Sequence, residues 1–496
     1  MVFIATFACL LITIAILLGI FIQRRFTYWK RRGIPHEKPI IPYGNIKGFM
    51  KTRLLRDIMQ EYYQKFKGCG PFVGMYFYIN PAILVLDLDL VRDILIKDFN
   101  NFTDRGVYCN ERDDPLSAHL FSLEGEKWRA MRNKMSPTFT SGKMKFMLPI
   151  ILNVGDELLQ VLSNTIEKDS VVEMKDILAR FTTDVIGTCA FGIDCNSLKD
   201  PNVEFRTVAV GAFTKSRHSS IVEGFMIGFP EIARKLGLRV INDDIHEFFM
   251  RIVRQTVDYR EKNSVKRNDF MGLMIELKNS GTGLTVDQIA AQAFIFFVAG
   301  FEISSATMAF ALYELALNQE IQVKLRAEID ACFDKNDDHF VYENMNEMPY
   351  LDKVIKETLR KYAINVTLVR KCCNEYQTSN PNFVIPKGML ILIQSHAIQN
   401  DPEIYPDPDK FDPERFTPEE IQKRHPMSWL PFGDGPRNCI GLRFAKMQVS
   451  VGLALLIRNF KFHCCEKTPV PLEFDITNPM LASKGGIPLK VEKIKS

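Results

Sequence analysis

Pro431-Phe432-Gly433-Asp434-Gly435-Pro436-Arg437-Asn438-Cys439-Ile440-Gly441 packs three glycines, two prolines and one cysteine into a single short run. Glycine and proline at this density force an irregular backbone. From Leu442 to Phe462 apolar residues then recur at helical spacing. Cys439 therefore sits at a loop-to-helix junction, where free amides and the positive end of the helix dipole favour a thiolate over a thiol. A thiolate so placed is a soft metal ligand or a nucleophile.

The chain around this loop has 496 residues, 46% apolar and 25% charged, an ordinary globular composition. At about 150 residues per domain, the length suggests about three domains. A net charge of +4 is too small to point to nucleic acid. The cysteines number 11, an odd count with no Cys-x-x-Cys. That argues against structural zinc, iron-sulfur clusters and a secreted disulfide framework, and for reduced thiols in a cytosol-facing protein. The 8 histidines are scattered, and none pairs at metal spacing.

Val2 to Ile22 carries no charge and is long enough to cross a hydrocarbon core of roughly 30 Å as a helix. Arg24, Arg25, Lys30, Arg31 and Arg32 follow it. Positive charge on the carboxyl side keeps the body cytosolic with the N-terminus translocated. The rival, a cleavable signal peptide, usually has basic residues before a shorter apolar run. No other segment reads as long and apolar enough to span. The expected organisation is an anchor over residues 1–23, a basic, proline-bearing connector over 24–44 and a single catalytic domain over 45–496.

Within the body, Phe72 to Ile79 and Ala82 to Leu86 read as a hairpin turning at Asn80-Pro81. Helical patterns cover Lys143 to Glu167, Glu173 to Phe191, Asp243 to Asn263 and Asn268 to Lys278. Thr285 and Gln288 form a capping box that opens an unusually long helix to about Leu317. Another helix follows over residues 350–363, with strands at Val366 to Arg370 and Met389 to Gln394. Leu472 to Val491 suggests a closing hairpin. The fold class is mainly α with a small β portion.

The opening run, read as Phe432-x-x-Gly435-x-Arg437-x-Cys439-x-Gly441, resembles the haem-binding loop of the cytochrome P450 family in every defining position. The resemblance implies haem b, with Cys439 as the thiolate axial ligand that pushes electron density to iron. It also implies that Arg437 faces a propionate and that Gly441 lets the helix approach the porphyrin. Trp128 and Arg132, four residues apart and so on one helical face, resemble the family's other propionate contacts. Glu357-x-x-Arg360 and Phe411-Asp412-Pro413-Glu414-Arg415-Phe416 resemble the segments that build a buried charge network from Glu357, Arg360 and Arg415, a structural rather than catalytic device.

Ala299-Gly300-Phe301-Glu302-Ile303-Ser304 resembles the oxygen-activation segment of the long helix. Relatives usually place threonine where this chain has Ile303, and isoleucine neither donates nor accepts a hydrogen bond. Ser304 is turned about 100° away. Three outcomes follow from this departure. Glu302 with water, or a substrate hydroxyl, delivers protons and monooxygenation survives; the enzyme rearranges or dehydrates an already oxygenated substrate; or the chain is a haem protein that binds an apolar ligand without turnover.

Lys127, Arg129, Arg132, Lys134, Lys143 and Lys145 form a run without acids. In the family this face docks an acidic flavoprotein, which implies NADPH-cytochrome P450 reductase as electron source and cytochrome b5 as a second donor. The residues Trp29 to Gly44, Phe102 to Phe121 and Phe191 to Ser197 resemble insect microsomal members that metabolise xenobiotics and hormones, so the endoplasmic reticulum membrane is the expected location. The family's pocket positions fall at Val107 to Leu123, Phe294, Phe297, Phe301, Ile303, Val366, Leu368 and Leu481 to Gly485. Their apolar character implies lipophilic substrates, and Phe225 to Pro230 is expected to dip into the bilayer. Tyr362-Ala363-Ile364 lacks the prolines relatives often carry there.

Overall fold

The computed structural model describes residues 2–281, 283–478 and 480–494. Helix α1 (Val2–Phe26) precedes α2 (Leu55–Phe66), β1 (Phe72–Phe77), β2 (Asn80–Val85), α3 (Leu88–Arg92), α4 (Gly125–Met135) and α5 (Ser141–Ile166). Next come β3 (Val171–Glu173), α6 (Met174–Ile186), α7 (Glu204–Thr214), α8 (Ser220–Gly228), α9 (Pro230–Lys235), α10 (Asp243–Lys262) and α11 (Phe270–Asn279). The long α12 (Val286–Leu317) leads to α13 (Gln319–Lys335), α14 (Asn344–Glu347), α15 (Pro349–Lys361), β4 (Leu368–Lys371), β5 (Tyr376–Gln377), β6 (Val384–Ile385) and β7 (Leu390–Ile393). The chain closes with α16 (Ser395–Gln399), α17 (Pro418–Gln422), α18 (Leu442–Asn459), β8 (Phe460–His463) and β9 (Pro488–Lys493).

Helix α12 starts where its capping box places it. The Gln288 amide donates to Thr285 Oγ1 at 3.1 Å, and Gln288 Oε1 accepts from the Thr285 amide at 3.2 Å. Both faces of α12 are buried along most of its length, as befits a helix that crosses the whole body. Helices α6 and α12 lie unusually close, because a Cβ on Gly300 would stand 2.5 Å from Ile186 Cδ1. After Ile186 the backbone widens into a π-turn over Gly187–Phe191, a feature frequent at functional sites.

The main sheet runs β1-β2-β7-β4, and its parallel β2–β7 pair joins distant parts of the sequence. The hairpin turns at Tyr78-Ile79 and not at Asn80-Pro81, since Pro81 pairs with Tyr76 inside β2. Proline is tolerated there because pairing with β7 starts only at Ala82. The expected closing hairpin is also corrected. The partner of β9 is β8, with β3 on its other edge, and Phe474 and Ser483 form a separate antiparallel bridge.

Two large buried clusters share the body. One draws residues from Phe99 to Val491 and the other from Trp29 to Leu430. They interleave along the chain, so no cut in the sequence separates them and the three-domain prior fails. Packing also begins before residue 45. Trp29 is fully buried, its Nε1 donates to Met75 O at 2.9 Å, and its ring occupies the space a side chain at Gly74 would need. By length and apolarity α5 and α12 could also cross a membrane, which corrects the expectation for the rest of the chain, but both are partly buried whereas α1 is not.

Candidate active site

The loop before α18 is shaped by two glycines with different reasons. Gly435 has φ +71°, and a Cβ there would meet Leu95 O at 1.8 Å. Gly441 has ordinary φ −87°, and the nearest protein atom to its Cβ position is Phe139 Cε1 at 3.9 Å. Between them the Cys439 amide donates to Phe432 O at 2.9 Å, and Phe432 packs on Trp429. Leu368 backs the loop, its Cδ2 3.8 Å from the Cβ position of Gly433.

Cys439 is exposed by surface area, yet its surroundings are protein. It opens into a cavity of about 190 Å³ whose lining includes Arg105, Phe121, Trp128, Arg132, Ile186, Cys189, Phe270, Ile295, Phe296, Ala299, Gly300, Arg437 and Gly441. Burial pushes the Cys439 thiol up, opposed by the Gly441 amide and the Arg132 and Arg105 guanidiniums. The expected thiolate is therefore not produced by the helix end alone, because desolvation outweighs it.

Cations dominate the cavity's edge. Arg437 Nη2 donates to Leu123 O at 2.7 Å, and its guanidinium stacks 4.2 Å from the Trp128 ring centroid. Arg105 donates to Arg437 O at 3.0 Å and to Phe121 O at 3.1 Å. Arg132 grips Asn438, beside Cys439, through O at 2.9 Å and Oδ1 at 2.8 Å. Burial, with Arg370 next, pushes Arg437 down to about 9, and burial alone takes Arg370 down to about 10. The Nε atoms of Arg437 and Arg370 are buried without hydrogen-bond partners. The nearest counter-charge on Arg437 is Asp104, at 3.9 Å.

Clustered buried guanidiniums with orphaned donors call for an anionic ligand, and a thiol facing an apolar slot calls for a soft metal. Two propionates and a ferric porphyrin meet both demands, and the side chain missing at Gly441 leaves room for a flat ring. The residues present therefore fit haem b. Sequence reasoning missed Arg105 and Arg370 as members of this cradle. The available signal was parity: Arg370 shares a strand face with buried Leu368, so its cation points inward.

Other expected residues lie elsewhere. On α12 the cavity face is Ile295, Phe296, Ala299 and Gly300. Phe297 and Phe301 are packed in the core, stacked on each other with centroids 6.0 Å apart, and Phe297 also meets Phe205 and Phe249. Phe294 contacts Phe249 at 5.1 Å and His119 at 6.2 Å. One helical step of about 100° separates these from the cavity face, and none of the three is part of its lining. Val366 and Leu368 are buried outside the lining.

Ile303 is half-buried against the core, and its carbonyl accepts from Thr307 Oγ1 at 2.7 Å. Ser304 is buried off the lining. Glu302 Oε2 is held by Lys175 Nζ of α6 at 3.0 Å, and the same ammonium donates to Ser305 Oγ at 2.9 Å. Gly300 is required by the Ile186 contact as well as lining the cavity.

Behind the site, Arg360 grips Glu357 on both oxygens at 2.7 and 2.9 Å, and Arg415 Nε lies 3.4 Å from Glu357 Oε1. Of the basic run, Lys127 pairs with Glu111, Arg129 with Glu126 and Lys145 with Glu343, while Arg132 turns inward. The exposed charge on that face is thus smaller than the bare sequence implies.

The cytochrome P450 family model matches residues 34–487, and the chain belongs to that family. It is 49% identical over 485 residues to cytochrome P450 6A1 of Musca domestica, covering 96% of this chain and 95% of that protein. Cytochrome P450 6a8 of Drosophila melanogaster is 50% identical over 490 residues, covering 96% of this chain and 97% of its own length. Cytochrome P450 6a2 of the same fly is 47% identical over 500 residues, at 98% and 99% coverage. A haem-thiolate monooxygenase is the class that family and site define.

Proposed function

We propose that this monooxygenase, anchored by α1 in the endoplasmic reticulum membrane with its body in the cytosol, inserts one oxygen atom from dioxygen into lipophilic molecules such as xenobiotics, hormones or other lipids. Its electrons come from NADPH through NADPH-cytochrome P450 reductase docked near the basic α4 face, with cytochrome b5 as a second donor. The observation that carries the reading is Cys439 opening into an apolar cavity edged by Arg105, Arg132 and Arg437.

Haem, when bound, supplies the redox chemistry that activates dioxygen. Cys439 would ligate it, while Arg105, Arg132 and Arg437 would hold and neutralise its propionates, with Trp128 stacked on Arg437 and Arg370 adding positive charge behind them. Ile295, Phe296 and Phe121 exclude water and orient an apolar substrate. Glu302, fixed by Lys175, hands protons inward through water because Ile303 relays none. Support for the membrane attitude comes from Phe21 of α1, whose ring lies 6.2 Å from Phe229. Ile221, Ile232 and Leu236 are exposed on the helices flanking Phe229 and in the turn that follows, which suits a surface dipping into lipid.

The test is a membrane preparation given NADPH, reductase and lipophilic probes. Oxygenated product that depends on NADPH is expected. Product formed equally without NADPH would favour rearrangement, and ligand-induced spectral shifts without chemistry would reduce the chain to a binding protein.

A further inference from the structure

The cavity that Cys439 faces has two kinds of wall. Arg105, Arg132 and Arg437 give one part of it the cations that suit the propionates of a ring. Another part is lined by Met147 of α5, Ile186 of α6, Cys189 and Ala190 of the π-turn, and Phe270 of α11. All five are buried, and they bring no side-chain nitrogen or oxygen. Three phenyl rings join the two parts. Phe139 Cε1 lies 3.9 Å from the Cβ position of Gly441, beside the slot left for the ring, and the same phenyl packs on Phe296 at 5.1 Å and on Phe270 at 6.2 Å. Phe270 and Phe296 meet edge to face at 4.6 Å, so the apolar lobe starts at the far member of this trio.

The backbone itself shapes the lobe. Where α6 would have continued, the wider π-turn over Gly187–Phe191 brings Cys189 and Ala190 to the cavity. Charge close by is already satisfied. Asp269, next to Phe270, has its two carboxylate oxygens gripped by Arg260, each at 2.7 Å, and burial pushes the Cys189 thiol up, which keeps it neutral. A stable buried water needs two or more polar partners, and no side chain here offers them. Apolar cavities of this kind stay dry and take up small apolar guests such as xenon. One small apolar molecule is a substrate of every monooxygenase: dioxygen.

We propose that the lobe lined by Met147, Ile186, Cys189, Ala190 and Phe270 is a holding site for dioxygen, placed beside the ring slot and apart from the space that Ile295 and Phe121 give to the lipophilic substrate. The inference rests on the haem-thiolate reading of the cavity. It gives α5, α6 and α11 a part in supplying the gaseous substrate, by raising its concentration next to the reaction centre, and no part in the chemical step.

The probe is xenon, and the reporter is carbon monoxide on the reduced, full-length haem protein. A light flash detaches the carbon monoxide, and haem absorbance follows its return. Part of it should come back in a delayed phase that does not depend on carbon-monoxide concentration, having waited in the lobe. At a xenon pressure that half-fills the site, this phase should shrink about twofold by mass action. Ala190→Leu, which fills the lobe, should abolish the phase and the response to xenon together, while the reduced carbon-monoxide spectrum keeps its position and so reports intact sulfur ligation. If Ala190→Leu does not accumulate, Cys189→Leu carries the same comparison. A parent without a xenon-sensitive phase would overturn the holding site, and so would a filled variant that responds to xenon as the parent does, which would place the gas elsewhere. Failure of the parent to give any carbon-monoxide spectrum would instead refute the haem reading.

Discussion

The carbonyl oxygen of Leu95 occupies the place a side chain at residue 435 would need, 1.8 Å from the Cβ position of Gly435. Six residues on, the Cβ position of Gly441 is clear of protein out to 3.9 Å. The two glycines therefore separate folding from cofactor binding. Gly435→Ala must move backbone and should cost more than about 3 kcal/mol, combining overlap with left-handed strain. Gly441→Ala should leave the thermal midpoint of the haem-free chain nearly unchanged but weaken haem retention. Differential scanning of both variants with and without hemin checks this; equal loss of stability in the haem-free chains would be the wrong outcome.

Glu357 and Arg360 are both fully buried. Arg360→Met leaves the Glu357 carboxylate facing only Arg415 and the Asp412 amide at 3.0 Å. The expected cost is about 3–5 kcal/mol, the loss for stranding a buried charge. In urea titrations, Glu357→Gln combined with Arg360→Met should recover part of it. A double variant no better than Arg360→Met would show that charge is not the cause.

Burial pushes His119 and His396 from 6.5 down to about 3, assisted by Arg105 for the first and by Arg56 and Arg360 for the second. Unfolded, each takes up a proton below about 6.5; folded, each stays neutral until about 3. The unfolded state thus binds more protons in this window, and stability falls as the pH drops through it. The slope is up to about 1.4 kcal/mol per pH unit for each histidine. Urea midpoints measured between pH 7 and 5 should show it, and replacing both histidines with phenylalanine should flatten the curve. A curve that keeps its slope in the double variant would assign it to other groups.

Ile303→Thr should raise the fraction of NADPH electrons that appears in oxygenated product, because a hydroxyl returns to the α12 segment that includes Ala299 and Gly300. Product, NADPH consumption and hydrogen peroxide, measured together, give that fraction. No change would mean that Glu302 and water already suffice.

Local chemistry made the long helix, the cysteine loop and the Glu357–Arg360 pair legible, since caps, glycines and close charge spacing act within a few residues. Contacts across the fold were not legible. Phe297 and Phe301 looked like pocket aromatics, but which side of α12 faces the cavity is set by how α6 and α10 dock. Arg105 and Arg370 joined the cradle from segments far from Cys439, and only a parity argument on β4 could have nominated one of them. The hairpin turn was misplaced by two residues because Pro81 read as a turn former, whereas the β2–β7 register leaves its missing amide harmless.

Trp29 keyed into the bare backbone at Gly74 makes the stalk beneath the molecule a bracket and not a rope. The set of α1 against the body then hangs on one indole, and a swap at Gly74 for any bulkier residue would dislodge that ring without touching a single residue of the cavity lining.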